Sequence, residues 1–195
     1  MNTIFKDVIG RFIIVYVDDI GIYSKNIEEH LHHLKIVFQI LRDNEIYVKK
    51  TKCYFMQDSV PFLGHIISTK GIEIDPRKIK VVTKWPQPKS LKELRGFLGF
   101  TGYYRHFIEH YATKALPLTS LLKKETKFEW TDDGTALMKN LIKAITNKPI
   151  LQPPDYTKKF MVTTDASDFA LGAVLSQENK PIKFISKKFS DQEKN

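Results

Sequence analysis

The sequence predicts an α+β fold, with strands and helices grouped into successive stretches of the chain. Three observations carry this. Two short β-branched and aromatic runs flank an acidic pair, Asp18-Asp19. From Pro76 onward the apolar residues switch to helical spacing. Beyond Pro149, Pro153 and Pro154, a second group of strand-like runs begins. A doubly wound domain would instead alternate strand and helix throughout.

Taken in order, Phe12-Ile13-Ile14-Val15-Tyr16-Val17 and Ile20-Gly21-Ile22-Tyr23 read as two strands joined by a tight acidic turn. Asn26 with Glu29 three residues on resembles a capping box. Ile27, Leu31, Leu34, Phe38 and Leu41 then recur at three- and four-residue steps, predicting a helix that ends at Asn44. Further short strands are expected over 46–48, 52–55 and 60–67, with a turn at Thr69-Lys70-Gly71. Pro76 suits the first position of a helix, which Trp85-Pro86-Gln87-Pro88 breaks. Ser90 with Glu93 opens a second helix running through Phe100, with Gly102 as its stop and a third helical stretch over 103–111. Residues 128–147 predict another helix, entered at Thr131-Asp132, and strands follow over 160–165, 172–176 and 183–186.

With 195 residues, 42% of them hydrophobic, the chain has apolar material for a real core in one or two domains. No apolar run approaches the ~18 residues of a membrane span. The first twelve residues carry Lys6, Arg11 and Asp7 without a cleavage pattern, so they do not read as a signal peptide. Cys53, the single cysteine, excludes an internal disulfide framework and fits a reducing compartment. The 31 Lys and Arg outnumber the 22 Asp and Glu, for a net charge of +9. Between Arg77 and Lys124 basic residues meet only Glu93 and Glu109, which makes this third of the chain the candidate polyanion surface.

Asp18-Asp19 at the end of an apolar strand is the sharpest chemical signal. Adjacent carboxylates repel each other and resist desolvation, and a divalent cation with a preference for oxygen ligands relieves both. The alternative is an ordinary hairpin turn, where Asp is common. His30, His32 and His33 have no acid or cysteine pattern to complete a metal site and read as a solvated helix face. Trp85 and Trp130 read as core, and Cys53 as a buried small hydrophobe.

Tyr16-Val17-Asp18-Asp19 looks like the Tyr-x-Asp-Asp hairpin of reverse transcriptases. The residues after it resemble the reverse transcriptase and ribonuclease H region of gypsy-like long-terminal-repeat retrotransposon Pol polyproteins along nearly the whole chain. Phe62-Leu63-Gly64-His65 is similar to the family's primer-grip hairpin. Leu94-Arg95-Gly96-Phe97-Leu98-Gly99 and Tyr103-Tyr104-Arg105-His106-Phe107-Ile108 match its thumb. Pro117-Leu118-Thr119-Ser120-Leu121-Leu122 and Phe128-Glu129-Trp130 come next, in the expected order. Thr164-Asp165-Ala166-Ser167, with Gly172-Ala173-Val174-Leu175-Ser176-Gln177, looks like the opening of its ribonuclease H domain.

The resemblance implies a partial palm over 1–75, a helical thumb over 76–125, a connection over 126–157 and an incomplete ribonuclease H-like domain over 158–195. It implies that Asp18 and Asp19 are catalytic carboxylates binding Mg²⁺ or Mn²⁺, and that Asp165 is the first metal-binding carboxylate of the nuclease. Tyr16 and Val17 would lie under the primer end, Phe62, Leu63, Gly64 and His65 would hold the primer strand, and Arg95, Tyr103, Tyr104 and Arg105 would track the duplex. Implied partners are an RNA template, a DNA primer, the RNA–DNA hybrid and the remaining Pol segments, with no membrane. The expected setting is intracellular, in cytoplasm or a virus-like particle.

Two departures limit the activity expected of the chain itself. The family's polymerase site takes a further aspartate from a strand upstream of Met1, and the stretch from Ser190 resembles the approach to the next nuclease carboxylate. The isolated chain is therefore expected to be inactive in both reactions. A non-catalytic relic or domesticated nucleic-acid-binding protein is the competing reading. Gly96 inside a helix, at a cost of about 1 kcal/mol against alanine, and Gly134-Thr135 after Trp130 are smaller departures.

Overall fold

The first strand pair forms from β-branched and aromatic residues that favour extended backbone. In the computed structural model, which describes residues 1–124, 126–190 and 192–193, β1 (Ile13–Tyr16) pairs antiparallel with β2 (Asp19–Ile22). The register sets Ile13 opposite Ile22 and Val15 opposite Ile20 on one face, and Ile14 opposite Gly21 and Tyr16 opposite Asp19 on the other. The first face joins a core with Phe5, Val8, Phe12, Val37 and Leu41. The second face stays open.

Helix α1 (Ile27–Asp43) covers that core. Asn26 caps it by accepting from the Glu29 N–H at 2.8 Å, while the Glu29 carboxylate reaches back to the Lys25 N–H at 2.7 Å, one residue before the usual box. The buried stripe differs from the expected one. Ile36, Val37, Ile40 and Leu41 face the core, whereas Ile27, Leu31 and Phe38 are exposed. The helix carries apolar residues on two sides, and only the neighbour decides which side is covered.

The strands expected over 46–48 and 52–55 are not formed. These residues have no ladder partner and instead make a short 3₁₀ turn at Lys50–Lys52. Cys53, expected to be buried, is partly exposed there, its thiol donating to the Lys49 carbonyl at 3.3 Å. The run over 60–67 is divided into β3 (Ser59–Phe62) and β4 (His65–Ser68), because Leu63 and Gly64 both have left-handed φ.

The chain divides into two compact units, Met1–Leu63 and Gly64–Asn195. In the second, β4 pairs antiparallel with β5 (Gly71–Ile74), and α2 (Pro76–Thr83) starts at Pro76 under an Asp75 cap. Ser90 caps α3 (Leu91–Tyr103), again with Glu93 reaching the residue before the cap. The expected helix over 103–111 is a 3₁₀ turn, Arg105–Phe107, followed by α4 (Tyr111–Ser120), which tolerates Pro117 inside it. Thr131 caps α5 (Asp132–Thr146), and Gly134 lets the Trp130 ring lie over its backbone at 3.4 Å from where a Cβ would stand.

These helices share a core of Val82, Leu94, Phe97, Leu118, Leu141 and Ile145, all fully buried. Phe184 brings the last sheet into it. That sheet is β6 (Met161–Ala166), β7 (Ala170–Gln177) and β8 (Lys180–Lys188), antiparallel in chain order, with an irregularity in β7 at Leu175/Ser176. Glu125, Asp191, Lys194 and Asn195, on which the end of the expected thumb and part of the stretch from Ser190 fall, lie outside the described residues.

Candidate functional site

Asp18 and Asp19 sit where β1 turns into β2. With Tyr16 opposite Asp19, the loop is two residues, Val17 and Asp18. Val17 has φ +53° and Asp18 does not share that sign, the pattern of a type II′ turn whose first central position favours glycine. A β-branched residue there is strained and 70% exposed. Both carboxylates are exposed, so water solvates them and the desolvation argument for a cation lapses. What remains is geometry: two oxygen-donor side chains at the tip of a hairpin whose other end is anchored in a core.

The face beside them is covered only in part. Tyr16, 60% exposed, shares that face with Asp19. A side chain on Gly21 would meet Ile14 at 2.8 Å and the Phe62 ring at 3.7 Å, so Phe62 lies over this face. The structure thus gathers Tyr16, Val17, Asp18, Asp19 and Phe62 in the first unit.

In the second unit, Gly64 and His65 are braced from beneath. The Gly64 carbonyl accepts from the Asp75 N–H at 3.1 Å and from the Tyr104 hydroxyl at 3.2 Å. Gly64 has φ +74°, and a Cβ there would stand 2.8 Å from the Tyr104 oxygen. The His65 ring stacks on Phe107 with centroids 5.5 Å apart and touches Tyr103 and Tyr104 at 5.7 and 5.5 Å. Burial, with Tyr103 and Asp75 nearby, pushes the Tyr104 phenol up to about 12. Asp75 is itself buried, and its hydrogen bonds with Arg77 hold its carboxyl below the usual value.

Tyr104 therefore corrects an expectation. At 2% exposure its ring is part of the core and its hydroxyl is spent on Gly64, so it cannot reach a polyanion. Arg95, Tyr103 and Arg105 are exposed. On α3, Lys92, Arg95, Gly96, Gly99 and Tyr103 share the solvent side. A Cβ at Gly99 would meet nothing within 4 Å, and one at Gly96 only the Trp85 ring at 3.9 Å. Among the described residues nothing requires glycine at either position.

Asp165 lies in β6, opposite Gly172 of β7, with its side chain 75% exposed. Here the sequence missed a neighbour. His110, with φ +52° ahead of α4, seats its ring over Gly172, where a Cβ would come within 2.6 Å of Nδ1. Its Nε2 stands 3.9 Å from Asp165 Oδ2 and 3.6 Å from Glu109 Oε1. The one signal in the sequence was a glycine inside a strand, which marks close approach by another group. Among the described residues no three His, Cys, Asp or Glu side chains converge as a metal site.

Residues 1–67 match the family described as reverse transcriptase (RNA-dependent DNA polymerase), and residues 130–195 match the RNase H-like domain found in reverse transcriptase. The whole chain is 45% identical to part of the retrovirus-related Pol polyprotein from transposon 297 of Drosophila melanogaster, and spans 18% of it. It is 38% identical to part of the transposon Tf2-3 polyprotein of Schizosaccharomyces pombe, of which it spans 15%. Among solved structures, the foamy viral protease-reverse transcriptase dRH in complex with double-stranded DNA superposes with a TM-score of 0.86 at 27% identity, covering 97% of this chain and 34% of that one. The foamy viral protease-reverse transcriptase in complex with RNA/DNA hybrid gives 0.84 at 27% identity, covering 98% and 26%. The chain thus carries a reverse transcriptase match over 1–67 and an RNase H-like match over 130–195, and it spans less than a fifth of the retrotransposon Pol polyproteins it is similar to. Both families generally use divalent metals.

Proposed function

We propose that this chain is the segment of an RNA-directed DNA polymerase that carries its Tyr-x-Asp-Asp hairpin, its primer-holding turn and the entry to its hybrid nuclease. The observation that carries this is the acidic hairpin, buried on one face and open on the other, with a strained Val17 aiming two solvated carboxylates outward.

The donor chemistry fits a hard divalent cation. Mg²⁺ keeps several waters and takes one or two carboxylates plus substrate phosphates. Asp18, with Asp19 as companion, would hold Mg²⁺ or Mn²⁺; bound there, the ion neutralises charge on the transferring phosphate. Tyr16 and Phe62 lie on the same face of the hairpin, which suits a primer end. Gly64 and His65, fixed by Tyr104, Asp75 and Phe107, suit a strand that must be held without sequence preference. Arg95 and Arg105 would meet phosphates, and Gly96 and Gly99 would let a duplex come close to the α3 backbone. Asp165 would serve the nuclease, with His110 beside it.

The isolated chain is expected to be inactive. The test is magnesium-dependent extension of a primed RNA template by a polypeptide carrying this chain within its full reading frame. Asp18→Asn should lower the rate about a thousandfold, the several kcal/mol a metal ligand is worth. Extension that survives Asp18→Asn would overturn the metal-ligand role of Asp18, and no extension by the unaltered polypeptide would leave a nucleic-acid-binding protein.

A further inference from the structure

The segment between α1 and β3 is the most exposed aromatic stretch of the first unit. It is bounded by left-handed turns at Glu45 and Met56. Tyr47 is 92% exposed and Tyr54 60%, with Phe55 at 40% leaning on Phe38 at 6.1 Å. Between them stand Lys49, Lys50 and Lys52, all exposed, on the 3₁₀ turn. No acidic residue falls between Tyr47 and Gln57, and among the described residues none of the three lysines is in an ion pair.

We infer that this segment is a binding site for single-stranded nucleic acid. Three cations in a row without an acid complement a phosphate backbone, and their counterion release drives binding. Tyrosine rings held out in water offer flat faces on which unpaired bases stack, a contact that tolerates any sequence. A duplex keeps its bases stacked inside and presents no face to such rings. The local backbone holds its own geometry: the Lys52 N–H donates to Lys49 at 2.8 Å, the Cys53 N–H to Lys50 at 3.1 Å, and the Gln57 amide to Phe55 at 3.0 Å. The lysine and tyrosine side chains are thus left for a ligand. The site uses neither carboxylate of the hairpin, so it stands or falls apart from the polymerase assignment.

The experiment is a fluorescence-anisotropy titration of the chain with oligouridylate of about 16 nucleotides, the upper end of a single-domain site, and with an RNA–DNA hybrid of the same length. Tyr47→Ala with Tyr54→Ala should weaken single-strand binding about a hundredfold, at roughly tenfold per lost stack, and leave hybrid binding within about twofold. Lys49→Gln with Lys50→Gln and Lys52→Gln should lower the slope of log affinity against log salt by about 2, from ~0.7 per phosphate contact. In the unaltered chain, photo-crosslinking to 4-thiouridine RNA should place adducts between Tyr47 and Phe55. Unchanged single-strand affinity, equal losses on strand and hybrid, or adducts only elsewhere would overturn the site. So would binding of anionic vesicles by this segment in preference to oligouridylate. Loss of hybrid binding in Arg95→Gln with Arg105→Gln reports on the proposed function instead.

Discussion

Two turns of this chain, at Val17-Asp18 and at Gly64, both rely on left-handed backbone, and they are built in opposite ways. At Val17 the strain falls on a β-branched residue that is 70% exposed, and the carboxylates beside it face water. At Gly64 the residue type matches the conformation, though Leu63 before it is left-handed too, and Tyr104 and Asp75 both donate to its carbonyl. The first turn leaves its polar groups available; the second consumes its own in holding a shape. Exposure thus separates polar groups left free to meet a ligand from those spent on holding shape better than residue type does. Tyr103 and Tyr104 make the same point side by side, one 55% exposed and the other 2%.

The sharpest way to break the comparison is Gly64→Ala. A Cβ at φ +74° and 2.8 Å from the Tyr104 oxygen should cost about 2–3 kcal/mol, or roughly 5–10 °C in melting temperature. An unchanged melting temperature would mean that Tyr104 yields freely and braces nothing.

Tyr104→Phe should cost less, about 1 kcal/mol, because the Gly64 carbonyl keeps the Asp75 N–H. It should also change the response to alkali. The folded phenol titrates at about 12 against an ordinary 10.0, so the fold favours the neutral form. The stability this gives is fully present below pH 10.0 and lost as pH rises through about 12. Denaturant midpoints measured across that window should fall in the unaltered chain and fall less in Tyr104→Phe. Parallel curves would show that the phenol is not linked to folding.

The smallest effect is expected at the other turn. Val17→Gly removes left-handed strain of about 1–3 kcal/mol, offset in part by glycine's chain entropy, and should stabilise the first unit by about 1 kcal/mol. A loss of stability would mean that Val17 contributes contacts its 70% exposure does not show.

Much of the secondary structure was legible because it is local. Asn26, Ser90 and Thr131 each accept an N–H three residues on, and each marks a helix start within one residue. The acidic pair was legible for the same reason, since adjacency in sequence is adjacency in space. The strands expected over 46–55 failed because a strand needs a partner that composition does not name. The exposed stripe of α1, the division of the run over 60–67 and the helix around Pro117 were decided by neighbours in the same way.

The sequence by itself determined the helix caps, the acidic hairpin, the closing three strands and the family resemblance, because these rest on residues within a few positions of one another. Only the tertiary structure decided that Tyr104 holds Gly64 from 40 residues away, that His110 lies over Gly172 beside Asp165, and that Tyr47 and Tyr54 stand in water. Burial is a property of the neighbours a residue meets, and those neighbours come from chain segments that local spacing cannot see.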